Sequence, residues 1–234
     1  KRGYLATANS MNLPPGYPIK DFKIGFEWSA PWRYLRIMEA LEGNANHSLE
    51  DSEHLQRDYK SLLAREVISK LPRLSAYDQN LLSNWDFELS PDSSSAALWG
   101  VWYYKHLVPN IKVLIDPYLQ RPMGFSEIDS LTVLDLLDTE RGKTIAYETL
   151  APALNELKKL LGRNPANWHW GDLHKIKFVH PLYDLVNEST REDLEIKPYP
   201  RGGSANTTNN TGFSAVDFNV RSGASFRMVI DVGS

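Results

Sequence analysis

The sequence predicts an α+β fold in which strands near both ends of the chain flank a long helical middle. Between about residues 31 and 162, apolar side chains recur at the spacing of amphipathic helices. Residues 173–179 alternate between apolar and polar side chains, as a half-buried strand does, and the run 226–232 predicts a second strand. We expect the strands at the two ends to belong to one antiparallel sheet, with the helices inserted between them.

The N-terminal region predicts a strand and a turn before the first helix. Residues 3–9 form a short apolar stretch, and Pro14-Pro15-Gly16 marks an irregular turn after it. Proline is tolerated in the first turn of a helix, and after Pro31 apolar residues recur at helical spacing until Gly43. The first helix is therefore expected between these two residues.

Two helices are expected next. Ser48 and Asp51 have the spacing of a capping box, and the apolar pattern that follows them ends before Pro72. Ser75 with Asp78 predicts the start of a shorter helix that carries apolar residues as far as Trp85. Each start is signalled by a side chain that can accept a hydrogen bond from the first turn.

Three more helices complete the helical region. One follows the serine cluster 93–95 and is expected to end at Pro109. Ser126 with Asp129 predicts the cap of the next. The last helix is expected over 143–161, where the following residue, a glycine, stops it.

We treat residues 1–234 as a single region without an internal repeat or an independent linker. It divides into a strand region over about 1–10, a helical region over about 31–162 and a strand region over about 173–234. Within the last of these, residues 201–212 form a polar loop rich in Gly, Ser, Asn and Thr.

Charge and composition exclude several classes of partner. A net charge of −3 and a pI near 6.1 give no long-range attraction for nucleic acid or anionic lipid. No apolar run approaches the ~20 residues of a membrane span. The absence of cysteine rules out disulfides, thiolate metal sites and cysteine catalysis within this chain. We expect no nucleic-acid and no membrane partner.

Several motifs, taken in order, resemble those of one known family. They are Gly3-Tyr4-Leu5-Ala6-Thr7-Ala8-Asn9-Ser10, Tyr17-Pro18, Trp32-Arg33-Tyr34-Leu35-Arg36-Ile37, Gln56-Arg57-Asp58-Tyr59-Lys60-Ser61, Trp85-Asp86 with Asp92-Ser93, Trp170-Gly171-Asp172-Leu173-His174 and Ser225-Phe226-Arg227. Each motif is short, but the ordered set covers essentially the whole chain. The sequence resembles the β subunit of penicillin acylases, which are N-terminal-nucleophile hydrolases.

The resemblance implies an αββα-type N-terminal-nucleophile fold and cleavage of a linear amide. In that family the N-terminal Ser of the β subunit attacks the amide carbonyl, and its own α-amino group acts as the base. This chain begins with Lys1, so we expect a fragment of the β subunit that lacks the nucleophile and is inactive alone. Its expected partners are the missing N-terminal part of the β subunit and the α subunit.

The resemblance also implies the kind of substrate and the compartment. The substrate is expected to be a small acyl-amide, such as a β-lactam, an N-acyl-homoserine lactone or an acylated peptide. The amide would join an acyl side chain to an amine nucleus. The expected location is periplasmic or secreted, in a bacterium.

Three residues match functional positions of the family. Asn9 matches the asparagine whose side-chain amide donates to the oxyanion. Arg33, rather than Arg36, matches the arginine that organises the active site, where its planar fork can hold oxygen acceptors in fixed geometry. Asp21 matches a carboxylate that binds a structural Ca²⁺, and the other ligands would lie outside this chain, so that site is expected to be incomplete. No cofactor is expected for catalysis.

Other interpretations stay open at this point. One is a noncatalytic structural or binding module that kept the acylase fold, and the first residue of the natural β subunit would distinguish it from an enzyme. Another is a helical interaction domain unrelated to acylases, which predicts no antiparallel sheet between 3–9 and the C-terminal strand. His169, His174 and His180 lack the spacing of a helical zinc motif, and we interpret them as structural histidines.

Overall fold

The computed structural model describes residues 3–25, 27–77, 80–118 and 128–233. These residues form a mixture of helices and small antiparallel sheets, which confirms the predicted α+β class. The α-helices are α1 (Trp32–Gly43), α2 (Leu49–Gln56), α3 (Leu62–Ser69), α4 (Ser94–Val101), α5 (Val108–Ile111), α6 (Ser130–Leu137), α7 (Glu140–Leu161), α8 (Trp170–Leu173) and α9 (Glu188–Leu194). The strands are β1 (Lys175–Phe178), β2 (Ile196–Pro200), β3 (Thr211–Phe213) and β4 (Val220–Gly223).

Short helical turns connect these elements. A π-helical turn, Trp102–Leu107, continues α4 into α5. Single 3₁₀ turns lie at Leu74–Ala76, Lys112–Leu114, Asp116–Tyr118, Pro165–Asn167 and Tyr183–Leu185. Within the described part of the chain, no helix is both long enough and apolar enough to cross a membrane.

The hydrophobic core is centred on α4 and α7. Six of the eight residues of α4 are buried, because the helix is surrounded by other elements. Trp99 stacks on Tyr103, with ring centroids 4.5 Å apart, and Trp102 donates through Nε1 to Thr149 Oγ1 on α7 at 3.1 Å. The aromatic residues of this region therefore fill the core, and the indole of Trp102 has a hydrogen-bond partner there.

Several predicted helix ends are confirmed. Ser48 and Asp51 form the capping box of α2, with the Ser48 hydroxyl accepting from the Asp51 amide and the Asp51 carboxylate accepting from the Ser48 amide. Helix α1 begins directly after Pro31. Helix α7 ends at Gly162, whose φ of 91° lies in the region that favours glycine. Each of these signals acts within one helical turn, and each marks a helix end that the structure has.

The predicted helix from Ser48 to Pro72 is interrupted. It forms as α2 and α3, because residues 57–61 leave the helical path. The Asp58 carboxylate accepts from the Lys60 amide at 2.7 Å, and the Ser61 hydroxyl caps α3 by accepting from the Ala64 amide at 3.1 Å. Side chains that bind nearby backbone groups compete with helix continuation, and here they divide one predicted helix into two.

Other boundaries also differ from the prediction. The segment that begins at Ser75 is a 3₁₀ turn followed by turns, not a helix. Pro109 does not end its helix: it lies in the first turn of α5, directly after the π-helical turn, and the helix continues through it to Ile111. Asp129 itself caps α6. Ser126 and Asp78 lie outside the described residues.

Two helices, α8 and α9, follow the one predicted to be last. Both are short, with four and seven residues, and they lie between the elements of the C-terminal strand region. Helices this short span about one or two turns, so they carry little periodic signal in the sequence.

The predicted sheet between the two ends of the chain does not form. Strands β1 and β2 pair antiparallel with each other, and so do β3 and β4, in two separate two-stranded sheets. Among the described residues, 3–10 and 226–232 pair with no strand. A strand forms only where a neighbouring backbone accepts and donates its hydrogen bonds, and no described segment lies in that position for either end. The prediction of one sheet was therefore wrong for the described chain.

Candidate active site

Asn9 lies in an irregular bend of the N-terminal segment, with its side chain exposed. Its φ is 60°, a left-handed conformation that asparagine tolerates better than most residues. The Asn9 carbonyl accepts a hydrogen bond from the Ser29 amide at 2.9 Å. This bond places the bend beside the residues that lead into α1.

Arg33 reaches Asn9 from the first turn of α1. Its guanidinium donates through one terminal nitrogen to Asn9 Oδ1 at 3.0 Å and to Ser29 Oγ at 3.3 Å. The neighbouring Trp32 is buried and donates through Nε1 to Ser130 Oγ at 2.6 Å, which fixes the start of α1 against α6. The structure thus brings together two of the three predicted site residues, Asn9 and Arg33.

The hydrogen bond from Arg33 decides the orientation of the Asn9 amide. A guanidinium has donors and no acceptor, so only the carbonyl oxygen of the amide can face it. The amide nitrogen of Asn9 then points away from Arg33, and Nδ2 makes no hydrogen bond to another described residue. The arrangement presents a neutral N–H donor whose direction is fixed by the protein.

The charge on Arg33 suits such a site. Partial burial lowers the pKa of the Arg33 guanidinium from its ordinary value. Arginine has so high an ordinary pKa that the group remains a cation at neutral pH. A cation bound to the carbonyl oxygen draws electron density from the Asn9 amide, which strengthens the N–H groups as donors.

Asp21 lies in an exposed turn of the N-terminal segment. Its backbone amide donates to the Pro18 carbonyl at 3.0 Å. Within the residues that the structure describes, no group of three or more His, Asp or Glu side chains is arranged to hold a metal ion. Calcium needs six to eight oxygen ligands, and a single carboxylate such as Asp21 provides at most two of them. Its role as a calcium ligand stays a prediction.

The sequence motifs did not single out all the residues around Asn9 and Arg33. Ser29, which binds Asn9 through its amide and Arg33 through its hydroxyl, was missed, because one serine in an irregular segment carries no signal. Arg36, which the motif does not match to the active-site arginine, pairs with Asp58 at 2.6 Å. Arg36 and Asp58 belong to different motifs of the sequence, and their spacing of 22 positions does not predict the pair.

His174 has the structural role that was predicted for it. The side chain is fully buried, its Nδ1 donates to the Arg201 carbonyl at 2.7 Å, and its ring stacks on Trp170. Burial lowers the pKa of His174 to about 4, and hydrogen bonding to the backbone of Arg201 and Thr211 offsets this only in part. The imidazole is therefore neutral at pH 7.

The fold and the Asn9–Arg33 pair define an α+β protein that presents a preorganised neutral donor at its surface. The family model described as penicillin amidase matches residues 1–234, and the chain belongs to that family. The resemblance seen in the sequence motifs is thereby confirmed. Family membership also excludes a helical domain unrelated to acylases, although the sheet expected to distinguish the two is absent from the described residues.

The chain is similar to several curated relatives of one kind. These are acyl-homoserine lactone acylases QuiP from Pseudomonas putida (25% identical), Pseudomonas syringae pv. syringae (24%) and Pseudomonas aeruginosa (21%). The matches cover 99%, 99% and 100% of this chain, but 32%, 32% and 33% of the relatives. The chain spans about a third of the length of the curated relatives that it matches.

Proposed function

We propose that the protein containing this chain hydrolyses a linear amide, and that Asn9 supplies a donor to the oxyanion of the reaction. One observation carries the proposal: Arg33 holds the carbonyl oxygen of the Asn9 side chain and leaves Nδ2 directed elsewhere. Family membership supports amide hydrolysis as the reaction class.

The chemistry requires such a donor at one step. When a nucleophile attacks an amide carbonyl, the carbonyl oxygen gains negative charge in the tetrahedral intermediate. A donor already aimed at that oxygen lowers the barrier by roughly 3–4 kcal/mol. Asn9 donates without a net charge of its own, so it does not hold an anionic acid product as a cationic donor would.

The nucleophile in this proposal is an N-terminal Ser supplied by polypeptide outside this chain. Its hydroxyl forms the bond to the acyl carbon while its α-amino group takes the hydroxyl proton. The same proton passes to the leaving amine as the amide bond breaks. Water then attacks the acyl ester and releases the acid. Asn9 donates to the oxyanion in both halves of the reaction, and Arg33 holds the Asn9 side chain in place.

The proposed substrate is an N-acyl-homoserine lactone. The curated relatives are acyl-homoserine lactone acylases by name, which supports this choice over a β-lactam or an acylated peptide. Cleavage of its amide would release a carboxylic acid and a homoserine lactone with its ring intact.

Two further expectations belong to the same proposal. Asp21 is proposed to give one oxygen to a structural Ca²⁺ site whose other ligands come from outside this chain. The proposed location is the periplasm or the exterior of a bacterium. Neither takes part in the chemical steps above.

The test uses the full-length protein and two variants of the pair, Asn9→Asp and Arg33→Met. Asn9→Asp keeps the shape of the side chain but replaces the donor with a negative charge. Release of free amine from N-acyl-homoserine lactone is followed by mass spectrometry, which also shows whether the lactone ring stays closed. We expect Asn9→Asp to lower kcat about 100- to 1000-fold, as loss of an oxyanion donor does.

Matched controls carry the same substitutions at exposed positions. Asn155→Asp lies on α7 and Arg163→Met lies just beyond its end, and both side chains are exposed. Both should retain wild-type kcat. Full activity of Asn9→Asp would refute the assignment of Asn9. If the wild-type protein releases no amine from any acyl-amide of the three classes, the noncatalytic module becomes the better description.

A further inference from the structure

A second arginine of α1 forms a partly buried ion pair one turn beyond Arg33. Arg36 donates through Nε and a terminal nitrogen to Asp58 Oδ2, at 2.9 Å and 2.6 Å. The other carboxylate oxygen, Oδ1, accepts from the Lys60 amide at 2.7 Å. The two side chains are only 20% and 12% exposed. Both carboxylate oxygens of Asp58 thus accept hydrogen bonds: Oδ2 from Arg36 of α1, and Oδ1 from the backbone of its own turn.

Partial burial and two hydrogen bonds distinguish this pair from an ion pair on the surface. Burial opposes the charge on Arg36, but the hydrogen bonds and the attraction from Asp58 outweigh it, and the pKa of Arg36 is raised. Burial raises the pKa of the nearby Glu88, and repulsion from Asp58 adds to the effect. The charge of Asp58 thus acts on both neighbours: it favours the cation of Arg36 and disfavours the anion of Glu88. Arg36 is the cation that forms charge-assisted hydrogen bonds with Asp58.

The turn that carries Asp58 is itself firmly held. The Asp58 carbonyl accepts from the Asn209 amide at 3.2 Å, and Asn209 is fully buried in the loop 201–212. The Asn209 carbonyl accepts in turn from the Arg227 guanidinium at 2.6 Å. Asp58 thus lies at a fixed point of the structure, to which α1 is tied through Arg36.

Helix α1 is anchored at its start by Trp32, and the Arg36–Asp58 pair is a second tie one turn further on. Of its twelve residues, only Trp32 and Met38 are buried. Arg33 and Arg36 are three positions apart, so they lie on neighbouring parts of the helix surface. A rotation or shift of α1 that releases Arg36 would also move the Arg33 guanidinium relative to Asn9.

We infer that Asp58 is a positioning residue, which holds α1 through Arg36 and so keeps Arg33 on Asn9 Oδ1. The inference rests on the proposed function, because the positioned group is the proposed oxyanion donor. The motif Gln56-Arg57-Asp58-Tyr59 contributes no side chain to the Asn9–Arg33 contact. In this inference, the motif acts on the contact indirectly, through the hydrogen bonds between Asp58 and Arg36.

The test compares Asp58→Asn in two backgrounds of the full-length protein. In the wild-type background, it should lower kcat about 10- to 100-fold with little change in KM, because a misplacement of about 1 Å can cost 100-fold. In the Arg33→Met background, the same substitution should change kcat by less than about twofold, since the contact that it positions is already gone. A merely structural role predicts the same loss in both backgrounds and would overturn the inference.

Two further variants test whether the effect on kcat depends on the charge of residue 58 and on this partner of Arg36. Asp58→Glu retains the charge and should recover part of the lost kcat, and it serves if Asp58→Asn does not fold. Glu39→Gln removes the exposed partner of Arg36, at 3.4 Å, together with the exposed pair between Glu39 and Arg65 of α3, at 3.1 Å. Exposed ion pairs contribute little, so this variant should leave kcat within about twofold. A loss for Glu39→Gln equal to that for Asp58→Asn would overturn the inference.

Hydrogen exchange separates this inference from the proposed function. In Asp58→Asn, amides of α1 should lose protection relative to those of α7. If the wild-type protein hydrolyses no amide, the proposed function fails, and the exchange of α1 still decides whether Asp58 holds that helix. Unchanged protection of α1 would refute the positioning role even in an active enzyme.

Discussion

Helix α7 and the segment 226–232 are both rich in apolar side chains, yet they bury them to very different extents. In α7, Leu150 and Leu157 are fully buried. In 226–232, Phe226, Ile230 and Val232 are 77%, 59% and 94% exposed. A helix satisfies its own backbone and needs only a packing partner, whereas a strand needs a neighbouring backbone as well. Helix α7 finds its packing partners within the described chain, whereas the segment 226–232 makes side-chain hydrogen bonds there but pairs with no described strand.

The candidate active site joins these two kinds of region. Asn9 belongs to an irregular terminal segment, while Arg33 belongs to a helix tied to the core by Trp32. The hydrogen bond from Arg33 to Asn9 therefore restrains the irregular segment around Asn9 against α1. The proposed donor is oriented by Arg33, whose helix is anchored to the core at its start through Trp32.

The largest effect is expected in the core of α7. Leu150→Ala should lower the free energy of unfolding by about 2–5 kcal/mol, because it removes buried surface and leaves a cavity. Urea unfolding of the full-length protein, followed by Trp fluorescence, measures the change. Leu160→Ala, on the exposed face of the same helix, is the matched control and should cost about 0.5 kcal/mol. Equal costs at the two positions would contradict the burial that the structure assigns to α7.

A smaller effect is expected from pH, through His174. The folded state holds this imidazole with a pKa of about 4, whereas the unfolded chain has the ordinary value of 6.5. As pH falls below 6.5, the unfolded state binds a proton that the folded state does not, so stability falls until about pH 4 and then levels off. Between pH 7 and pH 5, this group alone should remove ~2 kcal/mol from the free energy of unfolding.

The measurement is urea unfolding of the full-length protein at the two pH values. His174→Gln should be less stable at pH 7, since it loses the ring stacked on Trp170, but should lose less stability on going to pH 5. His54→Gln, at an exposed position of α2, should keep the wild-type pH dependence. An unchanged slope in His174→Gln would show that other groups cause the pH dependence.

The features that could be predicted from the sequence are those encoded locally. Pro31, the Ser48–Asp51 capping box and Gly162 act within one helical turn, and each was placed correctly. All of strand β1 lies within the strand predicted over 173–179, although Leu173 belongs to α8. The break at 57–61 was missed, because a carboxylate and a hydroxyl that cap turns there also occur on helix surfaces.

Features that depend on distant contacts could not be predicted in the same way. The loop 201–212 has the composition of a solvated loop, yet much of it is buried. Asn209 makes this possible: its Nδ2 donates to the Gly202 carbonyl at 3.0 Å, and its Oδ1 accepts from Thr207 Oγ1 at 2.6 Å. Polar groups can be buried when they satisfy one another, and composition does not reveal that pairing. For the site, resemblance named Asn9 and Arg33, but only the structure shows their contact.

The smallest effect is expected in the segment 226–232, and it tests the contrast in burial between this segment and α7 most directly. Ile230 is 59% exposed, so Ile230→Ala should change the free energy of unfolding by only about 0.5 kcal/mol. Ile111→Ala, at a fully buried position of α5, is the matched substitution and should cost about 2–5 kcal/mol. Both are measured by urea unfolding of the full-length protein. If Ile230→Ala costs as much as Ile111→Ala, other polypeptide covers the segment in that protein. The segment 226–232 would then be exposed in this chain but buried in the full-length protein, and its contrast with α7 would disappear there.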